Sequence, residues 1–394
     1  MSAMRVIFHE CKKVFSSPLL IALIVLFSAF NLFIIWNESY RLDELKVANE
    51  LAETYGLQIT DKSLRQFEED VKTDLAGLHG APAPVDLQRK GMYLQMAKSI
   101  DSKYDEIDWN KIGEREVHKY KLSGSAAEIL KKAYNKLSRR FEEIKETDEH
   151  KTWFFSGKPY RMYGFLFASL FRPIIFETLM LIVLATALIT NYEFENKTCL
   201  VAYSTRRGRS LMKDKLAASL LTTAGIVTVI LALTLGVYFA VFDYSHLWGS
   251  AISSAFNWEY SMDDLPYVSW WNLSFAEYLL CSILLLYVCM LLFSAISFAI
   301  SVLVKNSYYT FFLFAAFFII ALLTPGFASV SSALIFITVH NLSVLCMNPH
   351  MWFMGNGGLT MFKNYELVTA GVWTVITSTL CLYALSRFKK QELY

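Results

Sequence analysis

Residues 19–36 read Leu-Leu-Ile-Ala-Leu-Ile-Val-Leu-Phe-Ser-Ala-Phe-Asn-Leu-Phe-Ile-Ile-Trp, 18 positions without a charge. At about 1.5 Å per residue, a helix of that length covers most of the ~30 Å hydrocarbon core of a bilayer. Pro18 stands at its start, where a missing N–H costs nothing. A secretory signal peptide would end in small residues at a cleavage site, whereas this run ends in Phe33-Ile34-Ile35-Trp36 and is longer than a signal core. It reads as a retained anchor. Just before it, Met4, Ile7, Phe8, Cys11 and Phe15 recur at helical spacing, with Arg5, Glu10, Lys12 and Lys13 between them. Residues 1–17 are therefore expected to form an amphipathic helix in the membrane interface.

Composition agrees with a membrane protein. The 394 residues are 55% hydrophobic and only 18% charged, too little charge to solvate a soluble surface of this size. The charge is also concentrated: residues 38–161 hold 23 of the 35 acidic and 22 of the 37 basic side chains. The pattern is that of a polytopic protein with one soluble insert. No basic stripe interleaved with aromatics points to nucleic acid. The six cysteines avoid the insert and form no CxxC, and the seven histidines are scattered, so neither a disulfide framework nor a metal site is expected.

Further apolar runs at 169–190, 216–242, 274–304, 308–323 and 366–386 bring the expected spans, with 18–36, to six. Lysine and arginine in the short connections set the orientation. Arg5, Lys12 and Lys13 precede the first span; Lys197, Arg206, Arg207, Arg209, Lys213 and Lys215 lie in 191–215; Lys305 occupies the next turn; Arg387, Lys389 and Lys390 lie in the tail 387–394. The connection 243–273 has no basic residue, only Asp243, Glu259, Asp263 and Asp264. One orientation satisfies all of them: both termini cytoplasmic, with 37–165 and 243–273 outside, in a bacterial plasma membrane. The run 329–346 is apolar enough to be a seventh span, but a seventh crossing would put the basic tail outside. Residues 324–365 are therefore expected to re-enter and return, starting at the helix-breaking Thr324-Pro325-Gly326. The fold class is an all-α polytopic membrane protein with six transmembrane helices and a large helical extracytoplasmic insert after the first.

The insert itself reads as helical. Thr60-Asp61 precedes Leu64, Phe67, Val71 and Leu75, an N-cap followed by one apolar face. Ser125 with Glu128 resembles a capping box ahead of Leu130, Ala133, Leu137, Phe141 and Ile144. Trp109, Trp153 and Phe154 are expected to close a small core.

Segment 191–215 carries more charge than topology requires. Glu193 and Glu195 are acidic where the orientation rule asks for nothing acidic, and Arg209 and Lys215 lie six residues apart. A short segment held between two spans, with both charge signs, suits docking to a cytoplasmic protein. In order it offers Glu195, Thr198, Leu200-Val201, Ser204-Thr205, Arg206, Arg207, Gly208, Arg209 and Lys215. With these residues the chain resembles the permease subunits of type-2 ABC exporters, including the Thr-x-x-Gly-Arg form common among Firmicutes-like members. It departs at Lys197, where those permeases usually have glycine. The resemblance covers the whole plan, from interfacial helix to basic tail. It implies that 191–215 docks on a separate ABC ATPase subunit through Glu193, Glu195, Thr198, Arg206, Arg207, Gly208, Arg209 and Lys215. It also implies a second permease copy or a sister permease, with ATP and Mg held by the partner. The chain has no GxxxxGK[ST] phosphate loop of its own and is expected to bind no cofactor.

Glu177 is the acidic residue placed well inside a span, and an ionisable group there is a functional candidate. Pairing with Arg172, water or headgroups near the outer interface is the plainer reading. With Pro325 and Gly326 it makes a candidate translocation or gate element. The carboxylate pairs Glu68-Glu69 and Glu142-Glu143 sit on solvated helical faces, and no nucleophile–base arrangement can be assembled, so no enzyme is expected. A non-transporting sensor or scaffold that binds ligands through the insert is the rival function.

Overall fold

A proline at the first turn and a serine pair before it decide where the chain first turns into the membrane. The computed structural model describes residues 3–79, 82–154, 162–204, 208–258 and 265–390. Helix α1 (Ala3–Phe15) stops at Ser16–Ser17, and α2 (Pro18–Asn37) starts on Pro18. Val6, Glu10 and Val14 turn α1 towards the bundle, while Met4 and Phe8 stay exposed. Phe15 lies 2.9 Å from where a Cβ on Gly225 would stand, so the glycine admits the ring.

The fold is all-α and polytopic, with six helices among the described residues long and apolar enough to cross a membrane. After α2 come six cap helices: α3 (Leu42–Tyr55), α4 (Asp61–Gly77), α5 (Val85–Lys98), α6 (Ile100–Asp105), α7 (Trp109–Lys119) and α8 (Gly124–Glu146). Next, α9 (Met162–Gly164) runs through a π-helical stretch into α10 (Phe171–Glu195) as one crossing. A short α11 (Cys199–Ser204) leads to α12 (Leu211–Val241), then α13 (Phe275–Val304) and α14 (Ser307–Leu323). Two short helices, α15 (Leu334–Val339) and α16 (Leu342–Met347), precede α17 (Tyr365–Lys390). The crossing that contains α10 is 72% buried, against 22% for α2 and 17% for α14, so α10 is the central post. It packs against α2, α12, α13 and α14. The helices outrun their apolar runs because a helix keeps its hydrogen-bond ladder after it leaves lipid.

Both described chain ends, α11 and the Lys305 turn gather at one end of the bundle. Lys13 meets Glu193 at 3.4 Å, Ser307 N–H donates to Glu195 at 2.7 Å, and Arg209 bonds the Lys389 carbonyl. The cap occupies the other end.

The cap is not closed by the insert alone, as expected from Trp109, Trp153 and Phe154. Trp153 packs on Phe67 and Tyr93 of the insert but equally on Phe256 at 5.6 Å, and Phe154 packs on Phe275. Ala255 N–H donates to the His150 carbonyl at 2.8 Å, and Trp270 Nε1 donates to the Met361 carbonyl at 2.6 Å. Three segments distant in sequence thus share one core. Thr60 and Ser63 cap α4 reciprocally, each N–H donating to the other's side-chain oxygen at 2.9 and 3.2 Å. The capping box read at Ser125 is not formed. Helix α8 starts at Gly124 after N-cap Ser123, and Ser125 Oγ instead donates to the Ser331 carbonyl at 3.4 Å. Gly124 is left-handed (φ +51°), and a Cβ there would stand 3.0 Å from that carbonyl. Contact with the distant 331 strand of chain, invisible locally, shifted the cap.

Residues 329–346 form no single crossing helix. Helices α15 and α16 have six residues each, about 9 Å apiece, and turn at His340–Asn341. Asn341 caps α16 through Val344 N–H at 2.9 Å and donates to the Ala321 carbonyl at 3.1 Å. Trp373 Nε1 donates to the His340 carbonyl at 3.0 Å. The turn is thus bonded to both α14 and α17, which is how irregular backbone persists beside lipid.

His150 ties the cap together and is sensitive to acid. Its Nδ1 lies 3.1 Å from the Ile144 carbonyl, its ring stacks on Tyr104 at 4.6 Å, and Asp101 stands 3.7 Å from Nε2. Burial holds its pKa below the ordinary histidine value, against the opposing pull of Asp101 and Asp148. The folded cap therefore protonates later than the unfolded chain. Its contribution is complete above about pH 6.5 and declines as pH falls through that value. We expect the thermal midpoint of the purified protein to drop between about pH 7.5 and about pH 5.5, and His150→Gln to flatten that dependence.

Candidate functional site

Helix α10 ends in a backbone device that shapes the connection after it. Thr198 N–H donates to the Glu193 carbonyl at 2.8 Å and Lys197 N–H to the Phe194 carbonyl at 3.2 Å, the paired bonds of a Schellman cap. The cap requires a left-handed residue at 197, and Lys197 has φ +57°. Glycine adopts that conformation freely; a Cβ-bearing residue is penalised.

The chain then folds into α11 on an aromatic seat. Tyr203 is buried against Phe194 at 5.7 Å and Phe388 at 5.1 Å, which joins α10, α11 and α17. On the outer side of α11, Leu200 is 58% and Val201 72% exposed. Lys305 lies over the Phe194 ring at 5.3 Å. Glu195 and Arg209 are spent inside the protein, on Ser307 N–H and the Lys389 carbonyl, and Thr198 is exposed after the cap. Gly208 is left-handed (φ +49°), while Arg206 and Arg207 lie outside the described residues.

Lys215 and Glu193 point inward. The Lys215 ammonium is fully buried; it pairs with Glu193, lies 3.6 Å from Glu10 and donates to the Ile189 carbonyl. Lys13 completes the cluster, 2.8 Å from Glu10 and 3.4 Å from Glu193, with its ammonium 4.2 Å from the Tyr192 ring centroid. Burial alone would lower the Lys13 pKa, but Glu10 and Glu193 outweigh it and the pKa is raised. Two acids and two lysines from α1, α10 and α12 thus neutralise one another. Lys215 and Glu193, two of the eight residues expected to dock, bond α1, and the sequence reading missed Glu10 and Lys13 as their partners. The available signal was Glu10 itself, a carboxylate on a short basic helix.

Compared with protein families, curated proteins and solved structures, this chain matches none of them.

A second polar site lies within the spans. Glu177 is 5% exposed and accepts from Asn31 Nδ2 at 2.8 Å; the same amide donates to Thr234 Oγ1 at 3.2 Å. The three side chains come from α10, α2 and α12. Glu177 is therefore not paired with Arg172, which instead reaches the Met347 carbonyl at 3.3 Å and His350 Nδ1 at 3.4 Å. Pro325 and Gly326 sit in the turn that ends α14, with open space where a Cβ on Gly326 would stand. Asn31 was missed, although an amide inside 18 uncharged positions was its own signal. Among the described residues no group of histidine, cysteine and carboxylate side chains could hold a metal ion.

Two outcomes follow from this end of the bundle. Lys197→Gly relieves the left-handed strain and is expected to stabilise by about 1 kcal/mol, read as a higher thermal midpoint, whereas Lys197→Val lowers it. Lys215→Met leaves two buried carboxylates short of a cation, a loss of about 3–5 kcal/mol. Adding Glu193→Gln should recover part of that loss in a double-mutant cycle; additive losses would show that the two do not interact.

Proposed function

We propose that this chain is the membrane-spanning subunit of an ATP-driven exporter, with α11 as the element that receives the movement of a separate ATPase. One observation carries this reading: a six-residue helix with an exposed Leu200–Val201 face, seated rigidly on the ends of α10 and α17. Exposed apolar residues on a charged end of a membrane protein call for a partner, since water penalises them. Force on α11 reaches α10 through Phe194 and the Schellman cap, and reaches α1 and α12 through the Lys215 cluster. The lysine and arginine distribution supports a cytoplasmic position for this end. The chain's resemblance to type-2 ABC permeases supports the same assignment. It supplies the rest of the reading: ATP and Mg on the partner, and a second permease copy or a sister permease across the translocation path.

The sensor or scaffold reading draws on one feature of the cap. A cleft of about 670 Å³ beside α6 and α7 is lined by Lys103, Ile107, Ile112, Arg115, Trp258 and Leu265. A cleft of that size suits a small ligand. It does not account for the exposed face of α11.

Isolation of the tagged chain from native membranes is expected to bring down an ATP-hydrolysing subunit. Val201→Asp alters a side chain that is largely exposed, so the fold persists while the complex is lost. A complex that survives Val201→Asp and Leu200→Asp, or a chain isolated without an ATPase, overturns the proposal.

A further inference from the structure

The Glu177 site has no cationic donor of its own among the described residues. Asn31 Nδ2 has two hydrogens, and both are in use, on Glu177 Oε2 and Thr234 Oγ1. Besides the hydroxyl hydrogens of Thr234 and Ser28, what remains is acceptors. Asn31 Oδ1 is buried with no hydrogen-bond partner, and so is Ser28 Oγ one turn away on the same face of α2. Asn31 is fully buried and Thr234 is 1% exposed. Among the described residues no cation pairs with Glu177. Helix α2 has no ionisable residue, the lysines of α12 lie at its far end, and Arg172 on α10 is engaged with Met347 and His350. A carboxylate and an unanswered amide oxygen in apolar surroundings are costly unless something supplies positive charge and N–H groups. A primary ammonium supplies both, with three donors on one centre.

The position fits a molecule that arrives from lipid. Asn31 lies six residues from the end of α2, about 9 Å into the span. Only 22% of α2 is buried, and Phe30 and Phe33 beside Asn31 are exposed to the bilayer. The site therefore sits behind the most loosely held helix of the three that form it.

We propose that Asn31, Glu177 and Thr234 form a recognition site for the primary ammonium group of a lipophilic molecule, received from the bilayer between α2 and α10. Glu177 supplies the counter-charge, Asn31 Oδ1 accepts a second N–H, and the tail lies along α2. Treating this molecule as cargo rests on the exporter reading; the binding itself does not.

The test uses the purified full chain in detergent, its thermal midpoint read by tryptophan fluorescence during titration with octylammonium, octyltrimethylammonium and octanol. Octylammonium is expected to raise the midpoint, and Glu177→Gln to require about tenfold more of it. The other two additives should act equally on both proteins. An equal response of wild type and Glu177→Gln to octylammonium overturns the site. So does an effect of octyltrimethylammonium, which has no N–H, as large as that of octylammonium. Asn31→Asp adds a second carboxylate and should tighten octylammonium binding; an unchanged or weaker response also overturns the site. Nanodiscs of phosphatidylethanolamine and of phosphatidylcholine separate the sources. A Glu177-dependent rise with the former alone assigns the ammonium to a lipid headgroup, and equal midpoints assign it to a free amine. The exporter reading fails separately, through the absence of an ATPase from the isolated complex.

Discussion

Hydrocarbon offers no hydrogen bonds, so a polar group this chain carries into its spans is costly unless another part of the bundle answers it. That constraint is why the crossing elements are helices, and it also selects their partners. Asn31 holds α2 to α10 and α12; Thr186 meets Ser294 at 3.0 Å and Asn191 meets Ser301 at 2.8 Å, holding α10 to α13. Helix α10 takes part in all of these, which accounts for its place at the centre. Dispersion and packing do the rest, since lipid tails are as apolar as leucine and give little preference for one helix face over another.

The two ends of the bundle meet the same requirement differently. At the cap end, irregular segments are covered by one another: 243–258 completes the core around Trp153, and the 329–361 stretch closes against α8 and Trp270. At the other end the solution is ionic. Glu10, Lys13, Glu193 and Lys215 bind an otherwise marginal amphipathic helix to two spans. A buried ion pair adds little net stability over apolar packing, but it is intolerant of any arrangement that separates the charges. The three helices it joins are therefore constrained to move together.

Much of the plan could be read from residues alone. Apolar runs marked the spans, the asymmetry of lysine and arginine placed both ends on one side, and Thr60 marked the start of α4. Lys197 stands where the helix cap drives the backbone left-handed, a conformation that glycine adopts without strain. What failed to show were relations across the chain. Ser125 looked like a cap because its local sequence allows one, and contact with Ser331 decided otherwise. Lys215 counted as a surface charge because nothing in its own neighbourhood names Glu10, some two hundred residues earlier in the chain.

The chain's order of residues determined by itself that this is a helical, six-span protein with a soluble insert and a charged connection at 191–215. These are matters of local hydropathy, periodicity and charge, which act over a few turns of helix. Only the tertiary structure decided which charges are surface and which are anchors, that Glu177 faces Asn31 and not Arg172, and that three separate segments build one cap. Each of those depends on which helix faces are brought together. That pairing is settled by burying polar groups against their complements across the whole bundle, a sum to which no single stretch of sequence has access.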